Sequence, residues 1–258
     1  MIEIHIERKK SMKKPLVWGH RGASGYAPEN TLPSFQLAAD MKADGIELDI
    51  QLTKDDQIVV IHDEWLDRTS DGKGFVKDYT LEELRRFNFN KTIEGYAHCD
   101  IPLMSEVFEL IEPTDLTINI ELKTSIFDYE GIEEKILEMT RKYNMENRVI
   151  YSSFNHHSIL RLQKLNPSAP TAFLCQDGPI GFAAYAKQFG VDAIHPWFVN
   201  LRFENFMQEA RREGLAVNTW TVNEPEYIRM CTQFGVNAVI TNYPDVAQRV
   251  IQEVLDNA

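Results

Sequence analysis

Along the chain, apolar residues gather in short runs rich in β-branched and aromatic side chains, separated by stretches with helical spacing. The runs are LVWGH (16 to 20), GIELDIQL (45 to 52), QIVVIH (57 to 62), LTINIELK (116 to 123), RVIYSSF (148 to 154), TAFLC (171 to 175), DAIHP (192 to 196), LAVNTWTV (215 to 222) and NAVITN (237 to 242). Each reads as a strand. Helices are predicted over 31 to 43, 130 to 143, 155 to 165, 201 to 213, 224 to 234 and 244 to 256. Alternation of strand and helix at this spacing implies parallel sheet, and eight repeats imply a closed barrel, the (β/α)8 TIM barrel of the α/β class.

The count gives one strand too many. About four residues separate 57 to 62 from the run before it, whereas a parallel crossover needs roughly a dozen, so this return must be antiparallel. The second strand therefore extends past the barrel mouth as a ribbon that turns near Lys54, Asp55 and Asp56. A turn centred at 55 pairs position 48 with 62, which brings His62 beside Glu47 and Asp49.

Residues 63 to 104 break the alternation and read as a small inserted subdomain on the active face, with a helix opened by Thr80 and Glu83 in capping-box spacing. The rest, 15 to 258, reads as one catalytic domain, preceded by a loose basic segment over 1 to 14.

Composition narrows the function. A length of 258 residues suits one barrel, and 43% hydrophobic with 26% charged residues is ordinary for a soluble globular protein. A net charge of -12 argues against nucleic-acid partners, which need clustered Lys and Arg. A small anionic ligand remains compatible if positive charge is gathered locally. Three cysteines without a CxxC disfavour a disulfide framework or a zinc cluster. No run approaches the roughly 18 apolar residues of a membrane span. The expectation is a cytoplasmic protein without stable membrane anchoring.

Glu47 and Asp49 lie two apart on a strand, so both project to one face. At the barrel mouth, two unpaired carboxylates would resist ionisation unless a hard cation joined them. Glu121 and Lys123 repeat the spacing at the end of the fourth strand, adding a third carboxylate and a point charge for a phosphate oxygen. Arg21, in the H-R-G that ends the first strand, could grip a phosphate through paired hydrogen bonds. His62 could move a proton near neutral pH. His195 could line the pocket, Trp220 could wall a glycerol unit, and His156 with His157 read as a helix-cap region. Taken together, two histidines, three carboxylates, an Arg and a Lys at one mouth form a constellation for metal-assisted phosphoryl chemistry.

GHRGASGYAPENTLPSF, GIELDIQLTKDDQIVVIHDEWLDRTSDGKG, INIELK, NTWTVN and VNAVITNYPD, in this order, resemble the glycerophosphodiester phosphodiesterase family from position 16 to the C-terminus. The resemblance implies a TIM barrel with an insertion after the H-D segment. It makes His20 and His62 the catalytic acid and base in undivided roles. Glu47, Asp49 and Glu121 become ligands of one divalent ion, Mg2+ or Ca2+, and Arg21 and Lys123 become phosphate contacts. Glu29, within P-E-N-T, matches a family element and reads either as a helix-start carboxylate or as support behind the ligands. The implied reaction converts a glycerophosphodiester, such as glycerophosphocholine or glycerophosphoethanolamine, to glycerol 3-phosphate and an alcohol. The nucleophile is water or the glycerol's own 2-hydroxyl. Other readings are a lysophospholipase D using an apolar groove of Phe75, Phe87, Phe89 and Tyr96, a non-catalytic phosphate-binding barrel, and a glycoside hydrolase built on paired carboxylates.

Overall fold

In the computed structural model, residues 13–257 are described, so most of the expected loose segment over 1 to 14 lies outside them. Eight parallel strands close into a barrel: β1 (Leu16–His20), β2 (Gly45–Leu52), β4 (Thr117–Leu122), β5 (Val149–Ser153), β6 (Thr171–Cys175), β7 (Ala193–Pro196), β8 (Ala216–Thr219) and β9 (Ala238–Thr241). Closure comes from β1, which pairs in parallel with both β2 and β9. The ninth strand, β3 (Ile58–Val60), is antiparallel to β2.

The ribbon follows from how β2 outlasts β1. β1 pairs only with the first part of β2, ending at His20 opposite Glu47, and β3 pairs with the same strand from Ile50 to Leu52. The observed register, Ile50 opposite Val60, extends to 48 opposite 62, as the turn position predicted. Because β3 lies outside the ring, β4 is the third barrel strand, not the fourth that a plain count along the chain suggests.

Helices cover the outside of the ring. The predicted helix over 201 to 213 divides into a 3-10 helix, Phe198–Arg202, and α7 (Phe206–Arg212), because Asn205 adopts a left-handed φ of 64°. Two further helices, α3 (Met104–Ile111) and α6 (Phe182–Gln188), complete the cover. They are short, and α6 follows a Gly-rich loop that blurs its apolar periodicity.

Between the ribbon and α3, the chain carries its own apolar cluster: Leu66, Val76, Leu84, Phe89, Cys99 and Ile101 pack with Val59 and Ile61 of the ribbon. The short helix α2 (Leu81–Leu84) starts with the Thr80/Glu83 capping box. Sharing Val59 and Ile61 ties this segment to the barrel mouth, directly after His62. Phe87 and Tyr96 pack against the same cluster, and Phe75 packs at a tilt against Trp65 and edge-to-face against Phe127. These four aromatics thus serve packing, and none lines the cavity between His20 and His62.

Candidate active site

Strand register sets the site. His20 pairs with Glu47 on β1 and β2, and Asp49 pairs with Glu121 on β2 and β4. Paired residues on neighbouring strands point to the same face, so alternation along β2 and register across to β4 bring three carboxylates together. One oxygen each from Glu47, Asp49 and Glu121 lies within 4.8 Å of the others, and all three residues are buried.

Cationic side chains surround this cluster. Lys123 Nζ donates to Glu121 Oε1 at 2.9 Å and lies 3.1 Å from His62 Nε2 and 3.9 Å from Asp49 Oδ1. Arg21 Nη1 donates to Glu29 Oε1 at 2.7 Å, and its Nε lies 3.5 Å from Asp49 Oδ2. Arg21 itself is held in the left-handed region, φ 56°, by its backbone N–H, which donates to the backbone oxygen and to Oε2 of Glu47. Gly22 follows at φ 83°, where a Cβ would press within 2.7 Å of the Ser34 backbone. The H-R-G turn is therefore strained, and strain of this kind concentrates where geometry serves function.

The electrostatics fit a divalent cation. Glu29, Glu47, Asp49, Asp63 and Glu121 face Arg21, Arg68 and Lys123, so carboxyl groups outnumber cationic side chains five to three. Burial, then the charges of Asp49 and Glu121, push the Glu47 carboxyl well above its usual range. Burial works the same way on Asp49, but His62, Arg21 and Lys123, with the amide of Asn30 at 2.9 Å, hold it below. Asp49 Oδ1 is buried without a hydrogen-bond partner. Buried carboxylates that repel one another, one with an orphaned oxygen, are the donor set that hard divalent ions take up.

The histidines differ in their supports. His20 Nδ1 lies 2.7 Å from Asn242 Oδ1, and burial, reinforced by Arg21, lowers its pKa to about 3. His62 Nδ1 lies 2.6 Å from Asp63 Oδ1. Both rings line one narrow cavity of about 50 Å³ together with Arg21, Glu47, Glu121 and Trp220. Trp220 Nε1 donates to the His195 carbonyl, and Phe154 meets its ring edge-on at 5.5 Å. A larger cleft near Tyr129 and Leu165, about 600 Å³, is lined by acidic and basic side chains without a histidine, so size does not locate the site.

Of the predicted site residues, His20, Arg21, Glu47, His62, Glu121 and Trp220 line the cavity. Asp49 and Lys123 sit against its wall, and Glu29 is bonded to Arg21. His195 does not line it: the side chain is fully buried and accepts from Asn218 Nδ2 at 2.9 Å. His156 stacks on Phe173 and donates to the Leu174 carbonyl, and Asn155 caps that helix. Sequence reasoning missed Asn30, Arg68 and Asn242. A polar residue just past a barrel strand, as Asn242 is, was a readable signal; Arg68 lies in the irregular segment, where no spacing rule reaches.

Known proteins share this architecture. Residues 20–246 match the glycerophosphoryl diester phosphodiesterase family. The glycerophosphodiester phosphodiesterase of Caldanaerobacter subterraneus subsp. tengcongensis is 41% identical over 93% of this chain and 99% of its own length, and that of Bacillus altitudinis is 39% identical over 92% and 98%. An Oleispira antarctica phosphodiesterase solved with the product sn-glycerol-3-phosphate superimposes with a TM-score of 0.82 at 27% identity, covering 92% of this chain and 97% of that one. The Thermotoga maritima glycerophosphodiester phosphodiesterase gives 0.75 at 28%, covering 92% and 98%. With the family matched over nearly the whole barrel, and relatives aligned from end to end, this chain belongs to the glycerophosphoryl diester phosphodiesterase family and is a phosphoric diester hydrolase.

Proposed function

We propose that the enzyme hydrolyses glycerophosphodiesters such as glycerophosphocholine and glycerophosphoethanolamine to glycerol 3-phosphate and the free alcohol, with one divalent ion, Mg2+ or Ca2+. The observation that carries this reading is the convergence of Glu47, Asp49 and Glu121 beside two histidines in one cavity. The glycerol 3-phosphate bound in the Oleispira antarctica structure supports the same product here.

Glu47, Asp49 and Glu121 would hold the ion. When bound, it supplies a Lewis acid that draws charge from a phosphate oxygen. Arg21 and Lys123 add fixed positive charge beside the same phosphate, where a low dielectric strengthens it. The Arg21 Nε, buried without a hydrogen-bond partner, offers the phosphate a donor. The Trp220 ring, with its polar edge tied to His195, presents an apolar wall suited to the glycerol carbons.

The supports of the histidines favour a division of roles. Asn242 Oδ1 accepting from Nδ1–H fixes the His20 tautomer in which Nε2, 3.5 Å from Thr221 Oγ1, is the atom to take the proton of the attacking hydroxyl. Asp63 beside Nδ1 orients the His62 ring, which suits it to handling the proton of the leaving alcohol oxygen. The three free cysteines, all buried, suit the reducing, cytoplasmic setting proposed for the enzyme. Among the described residues no helix is long and apolar enough to cross a membrane.

Release of glycerol 3-phosphate from glycerophosphocholine by the purified protein tests the reading. His20→Ala and His62→Ala should each lower kcat by about 10²–10⁴-fold. Full turnover in either variant would remove that histidine from the mechanism.

A further inference from the structure

Arg68 lies outside the catalytic cavity, yet each of its three nitrogens is committed to a carboxylate that serves the cavity. Nη1 donates to Glu29 Oε2 at 2.7 Å and Nη2 to Glu29 Oε1 at 2.8 Å. On the other side, Nε donates to Asp63 Oδ2 at 2.6 Å and Nη2 to Asp63 Oδ1 at 3.0 Å. Glu29 in turn accepts from Arg21, and Asp63 lies against His62 Nδ1. One planar fork thus joins the residue at the phosphate and the residue at the leaving group through a continuous chain, Arg21–Glu29–Arg68–Asp63–His62.

We infer that Arg68 is a positioning residue for the diesterase reaction, holding Arg21 through Glu29 and His62 through Asp63 in one concerted arrangement. The inference rests on the roles proposed above for Arg21 and His62. Two physical points favour function over surface decoration. Single exposed ion pairs contribute little, but here the carboxylate side chains are only 11% and 25% exposed, while Arg68 is 44% exposed. The fork also satisfies both oxygens of each carboxylate, which fixes their orientation as a point charge could not. Removing it would place the whole Glu29 charge on Arg21, drawing that guanidinium from the phosphate. It would also free Asp63 to rotate away from His62. Leu66, two residues before Arg68, is buried in the apolar cluster of the irregular segment, so folding of that segment is what delivers the guanidinium.

The test measures kcat and KM for glycerophosphocholine hydrolysis, together with the His62 Nδ1 signal in ¹⁵N-histidine NMR spectra, for Arg68→Ala, Arg68→Lys and the control Arg86→Gln. Among the described residues Arg86 pairs with exposed Glu82 of the same segment. We expect Arg68→Ala to lower kcat about 10–100-fold, the usual effect of removing a residue behind a reacting group, with KM changing far less and the His62 signal shifted. Arg68→Lys should recover only part of both, and Arg86→Gln should match wild type. Retention of the wild-type kcat or of the wild-type His62 signal in Arg68→Ala would overturn the inference, as would full recovery by lysine. Should Arg68→Ala fail to fold, the lysine variant decides. A wild-type protein without turnover would overturn the proposed reaction instead, and the NMR signal would still judge Arg68.

Discussion

His195 carries its imidazole in the barrel interior, where burial lowers the pKa to about 3 from an ordinary 6.5. Since Asn218 donates to Nε2, the proton sits on Nδ1, which has no partner. The folded state therefore excludes a proton that the unfolded chain binds below about pH 6.5, so stability falls as pH drops from there towards 3. Each pH unit in that window is worth about 1.4 kcal/mol per proton, which makes the loss from His195 about 2 kcal/mol between pH 7 and pH 5. Carboxylates held below their usual range, such as Asp63 and Glu29, stay ionised in both states over this interval and add little. Urea unfolding at pH 7 and pH 5 should show a smaller difference in His195→Gln than in wild type. Equal differences would mean that His195 can be protonated in the folded protein.

At the scale of elements, the site depends on where β1 stops and how it turns. Arg21 and Gly22 occupy left-handed backbone one after the other, and the Ser34 backbone fills the space a Cβ would need at Gly22. Gly22→Ala should destabilise the fold by at least about 1–2 kcal/mol, the usual penalty for that region, and should lower turnover by displacing His20 and Arg21. Unfolding and turnover indistinguishable from wild type would show that the turn can relax. This is also where legibility divides. Glu47 with Asp49, and Glu121 with Lys123, were readable because period-two alternation is strict in strands. His62 was readable because a short turn fixes antiparallel register. The short helices α3 and α6 were not, nor was the break at Asn205, where a left-handed residue interrupts an otherwise helical pattern. The links made by Asn30 and Arg68 depend on how loops fold back, and no period carries that information.

For the whole molecule, an acidic chain and an anionic substrate are reconciled by local organisation. The barrel gathers Arg21 and Lys123 around three buried carboxylates, a cluster whose remaining negative charge one divalent ion would offset. A ligand that binds only the folded state raises its stability by mass action, about 2.7 kcal/mol at a hundred times Kd. Mg2+ or Ca2+ should therefore raise the Tm of metal-stripped protein, and Glu121→Gln should reduce that rise; an unchanged Tm would argue against a site that binds the ion tightly. The barrel order was legible across the whole chain because eight repeats of one unit reinforce each other. The central claim is that diester hydrolysis depends on the ion held by Glu47, Asp49 and Glu121. It is tested most directly by glycerol 3-phosphate release from glycerophosphocholine in excess EDTA and again after Mg2+ or Ca2+ is restored. The account predicts loss of turnover in EDTA and recovery with the added ion, and full turnover in EDTA would contradict it.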